Sequence, residues 1–394
     1  MAIVTLNPGK ERPVIQRHPW VFSGAIGTVK GYVGRGDSID VCTADGRWLA
    51  RGTWSSGSQI RVRLCTWEQG EELDDAFWRG RIERAVASRA ALGYDAATPC
   101  RLVYAESDGL PGVIADRYGP FIVLQLLTQG AAARAQLIAQ TLAELTGARG
   151  VYERSDADVR QKEDLPPAEG PLWGDVPDEP VALSFADGTR MLADLRGGQK
   201  TGTYLDQARN RQIVAGYAAG REMLDCFCYS GGFTIAAARA GAAQITAVDS
   251  SGPALETLSA NLGHSGVATP VEIVEADVFR QLREYRLAGR QFDLIVLDPP
   301  KFAQSNSQIE RATRGYKDIN LIAMQILRPG GILATFSCSG LVSLDLFQKV
   351  VAGAAMDAKR DVQVVERLGH APDHPLLLTF PEGEYLKGFV CRVQ

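Results

Sequence analysis

The chain has 394 residues, more than one compact core accommodates, so two or three domains are expected. Its 45% hydrophobic and 22% charged content is ordinary for a folded soluble protein, and no apolar run is long enough to span a membrane. A formal net charge of −4 excludes a surface coated in basic patches. Yet residues 1–67 hold nine Lys/Arg against four acids, a net of +5, which leaves the remainder at −9. That asymmetry favours a nucleic-acid-contacting module at the front of the chain.

Seven cysteines without a C-x-x-C pair, and four histidines, fit reduced thiols and no metal site. The first residues lack a signal-peptide pattern, so the expected location is cytoplasmic.

In residues 1–72, Ser38-Ile-Asp-Val-Cys42 and Gln59-Ile-Arg-Val-Arg-Leu64 alternate in polarity around the hairpin signal Asp45-Gly46. Several short strands in so few residues predict a small β-barrel. The charged stretch 68–75 reads as a linker. A helix is predicted over 75–92, stopped by Gly93, and a second over 131–146. Between and after them lie strand-like runs such as Phe121-Ile-Val-Leu-Gln-Leu-Leu127, which makes residues 75–190 an α+β middle domain. Residues 164–180, rich in Pro, Gly and acids, read as an exposed loop.

From residue 221 the pattern becomes strand, helix, strand, helix, as in a doubly wound parallel sheet, and residues 191–394 form the third expected domain. Met223-Leu-Asp-Cys-Phe-Cys-Tyr-Ser-Gly-Gly-Phe233 is a strand, a glycine turn and the start of an alanine-rich helix. Glycines there let the backbone approach a ligand closely. The turn is not the G-x-G-x-x-G of dinucleotide sites, which points to a nucleotide cofactor without phosphates. Asp225, Asp249, Asp277 and Asp298 sit at four successive strand ends. Carboxylates there suit ribose hydroxyls, an adenine amine and a cofactor carrying sulfonium and ammonium charges, so S-adenosylmethionine fits better than NAD. Phe227, Tyr229, Gly231, Ser250 and Val278 line the same predicted turns. Capping of the following helices is the competing role for each acid. Cys226 and Cys228 are read as packing residues.

Cys338 follows the apolar run Gly331-Ile-Leu-Ala-Thr-Phe336 in Thr-Phe-Ser-Cys-Ser-Gly340, and Asp298-Pro299-Pro300-Lys301 follows another. Both lie where open α/β sheets bind ligands. With these stretches the chain resembles the bacterial 23S rRNA (cytosine-C5) methyltransferases with an N-terminal PUA domain (RlmI-like). The resemblance also covers Gly198-Gln-Lys-Thr-Gly-Thr-Tyr-Leu-Asp-Gln207, Arg314-Gly-Tyr-Lys-Asp-Ile-Asn320, Asp373-His-Pro375 and Pro381-Glu-Gly-Glu-Tyr-Leu-Lys-Gly-Phe389. It implies a PUA-like β-barrel, an α+β middle domain and a Rossmann-like class I methyltransferase domain. It implies S-adenosylmethionine as methyl donor and a cytosine C5 in 23S rRNA as acceptor. Because such a base must be flipped out or met single-stranded, the rRNA is expected naked or partly assembled.

By motif position the resemblance makes Cys338 the nucleophile, with Asp298 at the base edge and Lys301 in support. His18-Pro-Trp-Val-Phe22 with Arg61 and Arg63 resembles an RNA-binding barrel, and Trp20, Arg61, Arg63, Arg154 and Lys200 are the RNA-contacting candidates. Many RNA cytosine-5 methyltransferases resemble one another in carrying Pro-Cys after the Asp-Pro, a second cysteine that assists release. Here that place reads Pro-Pro-Lys, so the base that removes the C5 proton is not named by the sequence. A guanine or exocyclic-amine methyltransferase and a catalytically silent assembly factor stay open as alternatives, as does a homodimer.

Overall fold

In the computed structural model, residues 2–155, 157–198 and 201–394 are described, and Lys200 lies outside them. The chain forms two compact units. The first is Met1–Leu183 with Ala193–Thr203 and Pro372–Gly383.

It opens with a six-stranded sheet ordered Trp20–Phe22, Ile60–Thr66, Trp48–Trp54, Ser38–Cys42, Ala2–Leu6, Ile26–Lys30. Alternation along these strands turns Val4, Leu6, Ile39, Val41, Val62 and Leu64 into one apolar core. Stretch 68–75, expected as a linker, is tied down instead. Arg51 bonds the Glu71 carbonyl and pairs with Glu72, while Arg81 pairs with Glu71.

A five-stranded sheet follows, ordered Ala168–Gly174, Gly150–Ser155, Phe121–Leu126, Val113–Tyr118, Cys100–Tyr104. Helix Asp75–Ala91 packs against it, its first turn capped by the Asp74 carboxylate accepting from the Phe77 amide at 2.9 Å. The second expected helix is broken into Gln129–Ala132 and Ala135–Thr146. Within the expected loop 164–180 the structure has strand Ala168–Gly174, paired to its neighbour on one side as the sheet's edge.

The second unit is Ser184–Leu192, Tyr204–Ala371 and Glu384–Gln394. Its sheet has seven strands, β1 (Glu222–Cys226), β2 (Gln244–Asp249), β3 (Val271–Glu275), β4 (Phe292–Leu297), β5 (Leu327–Ser337), β6 (Val362–Leu368) and β7 (Lys387–Val393). Their order is β3-β2-β1-β4-β5-β7-β6. The first five run parallel, as the near-continuous apolar runs of β1, β4 and β5 require of strands buried on both faces. β7 inserts antiparallel between β5 and β6, so the sheet is mixed rather than wholly parallel.

Helices cover both faces, and those that bear on the site are α1 (Gly232–Arg239), α2 (Gly252–Ser265), α3 (Val278–Leu287) and α4 (Ile309–Ile326). One core lies under α4 around Tyr316, Phe347, Phe389 and Leu297, the other under α1 around Phe233, Ile245, Val296 and Phe336. Because β1 and β4 are neighbours, everything that follows them emerges side by side at one edge of the sheet.

Candidate active site

The turn after β1 is strained by design of its sequence. Phe227, Tyr229 and Gly231 all adopt left-handed backbone, with φ of 62°, 49° and 86°. For the two aromatic residues this conformation costs free energy and persists only where the surroundings impose it. Cys228 N–H donates to the Val248 carbonyl, Gly231 N–H to the Cys228 carbonyl, and the Asn261 amide to the Ser230 carbonyl. At position 231 a Cβ would stand 2.1 Å from a Leu258 methyl, so α2 comes close enough to admit only glycine.

The four strand-end acids divide into different roles. Asp249 holds two backbone amides, Tyr229 N–H on Oδ2 at 2.9 Å and Ser251 N–H on Oδ1 at 3.0 Å, and stays partly open to solvent. That orients its carboxylate at the mouth of the turn. Asp225 is fully buried, with Oδ2 accepting the Thr234 hydroxyl at 2.6 Å and Oδ1 buried without a partner. Burial pushes its pKa up to about 7, against the Thr234 hydrogen bonds and helped by Asp249.

Asp277 is exposed and caps α3, its Oδ1 accepting from the Arg280 amide at 2.9 Å, so the cap uses one oxygen of the acid expected to meet adenine. Val278 beside it is buried core, and Ser250 is exposed. Asp298 is half-buried after β4, its amide 3.5 Å from the Cys226 carbonyl.

Cys338 leaves β5 half-buried, with its Sγ 3.6 Å from the Pro299 carbonyl of the Asp-Pro-Pro turn. The other six cysteines are buried. The two serines flanking Cys338 turn inward, and the Tyr316 hydroxyl from α4 meets both, Ser337 at 3.0 Å and Ser339 at 3.2 Å. Burial raises the Tyr316 pKa, and Ser337 and Ser339 oppose it, so the ring acts as a neutral hydroxyl clamp. Tyr204 joins the two halves of the site. Its ring packs edge-on against Tyr229 at 5.4 Å. Its pKa is raised first by burial, then by Asp298, Tyr229 and Cys338. Phe227 packs edge-on to Phe279 at 6.5 Å, and Phe302 lies tilted against Tyr316 at 4.7 Å. Lys301 is exposed.

The site therefore gathers Asp225, Phe227, Tyr229, Gly231, Asp249, Asp298 and Cys338 at one sheet edge, as the strand-end argument expects. It adds Tyr204 and Tyr316, which sequence reasoning placed in matching motifs but gave no role. A glycine-only cradle, an oriented carboxylate and an orphaned buried oxygen fit a cofactor that presents hydroxyls and positive charge.

In the first unit, Arg61 is half-buried over the Trp54 ring, and Arg154 donates to the carbonyls of Leu195 and Gly198. Arg63 departs from its expected exposure to RNA, and Trp20 is half-buried. Arg63 is buried between Glu106 and Glu163, at 3.0 and 2.8 Å, and Trp20 Nε1 donates to the same Glu106 at 2.8 Å. Two carboxylates that a buried guanidinium needs have been supplied from within this unit.

Asp225 carries a pH test. Its folded pKa lies above the unfolded value, so its favourable contribution is complete below about pH 4 and is lost as pH rises through about 7. Melts of the chain should show Asp225→Asn losing much of the native protein's decline in Tm between pH 5 and pH 8. On the order of a few kcal/mol is at stake.

A family model described as a PUA-like domain matches residues 4–67, and one described as S-adenosylmethionine-dependent methyltransferase matches residues 109–381. The chain is 52% identical to the ribosomal RNA large subunit methyltransferase I of Shewanella denitrificans, with all of both chains covered. It is 47% identical to the protein of that name from Klebsiella pneumoniae, covering 99% of this chain and 98% of the other. Among solved structures, a SAM-dependent methyltransferase from Streptococcus mutans superposes with a TM-score of 0.85 at 19% identity, and a methyltransferase complexed with SAH with 0.86 at 19%. Both alignments cover the full lengths of both chains. At that identity the likeness is one of fold.

Proposed function

The chain belongs to the S-adenosylmethionine-dependent methyltransferases of the ribosomal RNA large subunit methyltransferase I type, and on that premise we propose that it methylates C5 of a cytosine in 23S rRNA through Cys338. The observation that carries the reading is the position of the thiol. Among the described cysteines it is the half-buried one, and it stands against the Asp-Pro-Pro turn at the cofactor edge of the sheet.

C5 of cytosine is a weak nucleophile, and a thiol is the group that remedies this. The Cys338 thiolate adds to C6, forming an S–C6 bond and moving the ring's electron density onto C5. Asp298, the first residue of that turn, would hydrogen-bond the base edge as the ring accepts that density. When bound, S-adenosylmethionine supplies an electrophilic methyl carbon, with the ribose hydroxyls assigned to Asp249 and the cradle to residues 227–231. Loss of the C5 proton to a base then returns electrons to the ring, breaks the S–C6 bond and frees the thiolate. The hard substitution becomes three easier steps.

Such chemistry needs the base out of a helical stack, so the substrate expected is naked or partly assembled rRNA. Arg61 of the PUA-like module and Arg154 of the five-stranded sheet are proposed to contact the rRNA backbone.

Methyl transfer from labelled cofactor to unmodified 23S rRNA, followed by nucleoside identification, tests the reading. 5-Methylcytidine is expected, and a methyl on guanine or on an exocyclic amine would overturn it. Asp249→Ala should weaken S-adenosylmethionine binding by about 10- to 100-fold in calorimetry, since it removes a charged acceptor and frees the Tyr229 and Ser251 amides that shape the turn.

A further inference from the structure

We propose that Lys387 is the positioning residue of this site, a buried ammonium that fixes the loop behind Cys338 and favours its thiolate. The proposal rests on the reading of Cys338 as the nucleophile.

Lys387 opens β7, where the ladder sets it opposite Ser337 of β5. It is 3% exposed, an unusual place for a cation, because burial of an ammonium is costly unless its protons find acceptors. Its Nζ donates to the carbonyl of Ser339, the residue after Cys338, at 2.8 Å and to that of Val342 at 2.6 Å. Carbonyls orient an ammonium but do not cancel its charge. The charge is therefore left to act on neighbouring anions, Glu384 first and the Cys338 thiolate after it.

Burial lowers the lysine's pKa to about 8, while Glu384 and the Cys338 thiolate oppose the fall. A thiolate that favours the ammonium is favoured by it in equal measure, since the coupling is reciprocal. Among the described residues, Tyr204, Tyr316 and Asp298 at this edge do not supply that charge. Tyr204 and Tyr316 have raised pKa values and are neutral at pH 7 to 8. Asp298, which acts on Tyr204 from the same edge, carries the same sign as the thiolate. Glu384 is exposed and Lys301 is exposed. On ionisation the Cys338 proton passes to solvent, and Lys387 keeps its own.

Alkylation of Cys338 by iodoacetamide against pH, read by peptide mass spectrometry on the full chain without RNA, tests the proposal. The remaining six cysteines are buried, so one site reports. The native midpoint is expected below the value of about 8.5 for a free thiol. Lys387→Gln retains two N–H donors for the two carbonyls but no charge, and should raise the midpoint by about one pH unit, a tenfold slower reaction near pH 7. Lys387→Arg should hold the midpoint lower than Lys387→Gln does.

A native midpoint at or above about 8.5 would overturn the proposal without any variant, so misfolding of a mutant leaves the question decided. A Lys387→Gln profile that superposes on the native one would also overturn it, leaving a purely structural lysine. Methyl transfer by a Cys338→Ala protein would defeat the nucleophile reading instead, while the alkylation profile would still report the lysine's effect on the thiol.

Discussion

Cys338→Ala should lower methyl transfer to rRNA by about a thousandfold or more while leaving S-adenosylmethionine affinity within about twofold of native. The asymmetry follows from where the residue sits. Its Sγ faces the Pro299 carbonyl across the sheet edge, and the cofactor cradle between Phe227 and Gly231 is built from other hydrogen bonds. A serine in its place should do no better, because a hydroxyl is scarcely ionised near neutral pH. RNA carrying 5-fluorocytosine should leave a covalent complex on a denaturing gel, since fluorine at C5 offers no proton to remove and the S–C6 bond has no way to break. The complex should need both the cofactor and Cys338. Full activity in the alanine protein would remove the covalent scheme.

Gly231→Ala should cost about 2 to 4 kcal/mol of stability and weaken cofactor binding at least about tenfold. Two penalties add. One is the left-handed backbone at φ 86°, and the other is a Cβ placed 2.1 Å from the Leu258 methyl of α2. Gly241→Ala separates them. It has nearly the same φ, 84°, but its Cβ meets nothing within 4 Å, so it should cost only about 1 kcal/mol. Chemical denaturation and calorimetry on the two variants measure both quantities. Equal losses would mean that α2 yields, and that the tight approach to the turn is not what shapes the cradle.

The second unit was readable in the sequence because buried parallel strands announce themselves. Phe292–Leu297 is a near-continuous apolar run ending in Asp298, and the same pattern ends in Asp225 and Asp249. What an acid does at a strand end was not readable, because a helix cap and a ligand carboxylate favour the same residue. Asp277 became a cap and Asp249 an oriented acceptor. Strand Ala168–Gly174 reads as a loop in the sequence because edge strands tolerate Gly, Pro and charge as loops do. Arg63 reads as an RNA-contacting cation because its partners, Glu106 and Glu163, stand 43 and 100 residues away. Tyr316 and Lys387 were missed for the same reason. Their partners around Cys338 are set by α4 packing and an antiparallel strand, which no local pattern encodes.

The placement of β7 has a consequence for synthesis. β6 is made before β7, yet β7 is what joins β6 to β5. While the nascent chain lacks residues 387–393, β5 has an open edge and the carbonyls of Ser339 and Val342 have no ammonium to meet. A chain emerging at about 5 to 20 residues per second thus carries its thiol for some seconds before the strand that braces it exists. On the proposed role of Lys387, the bracing of the loop behind Cys338 is completed only by the last strand of the sheet to be translated.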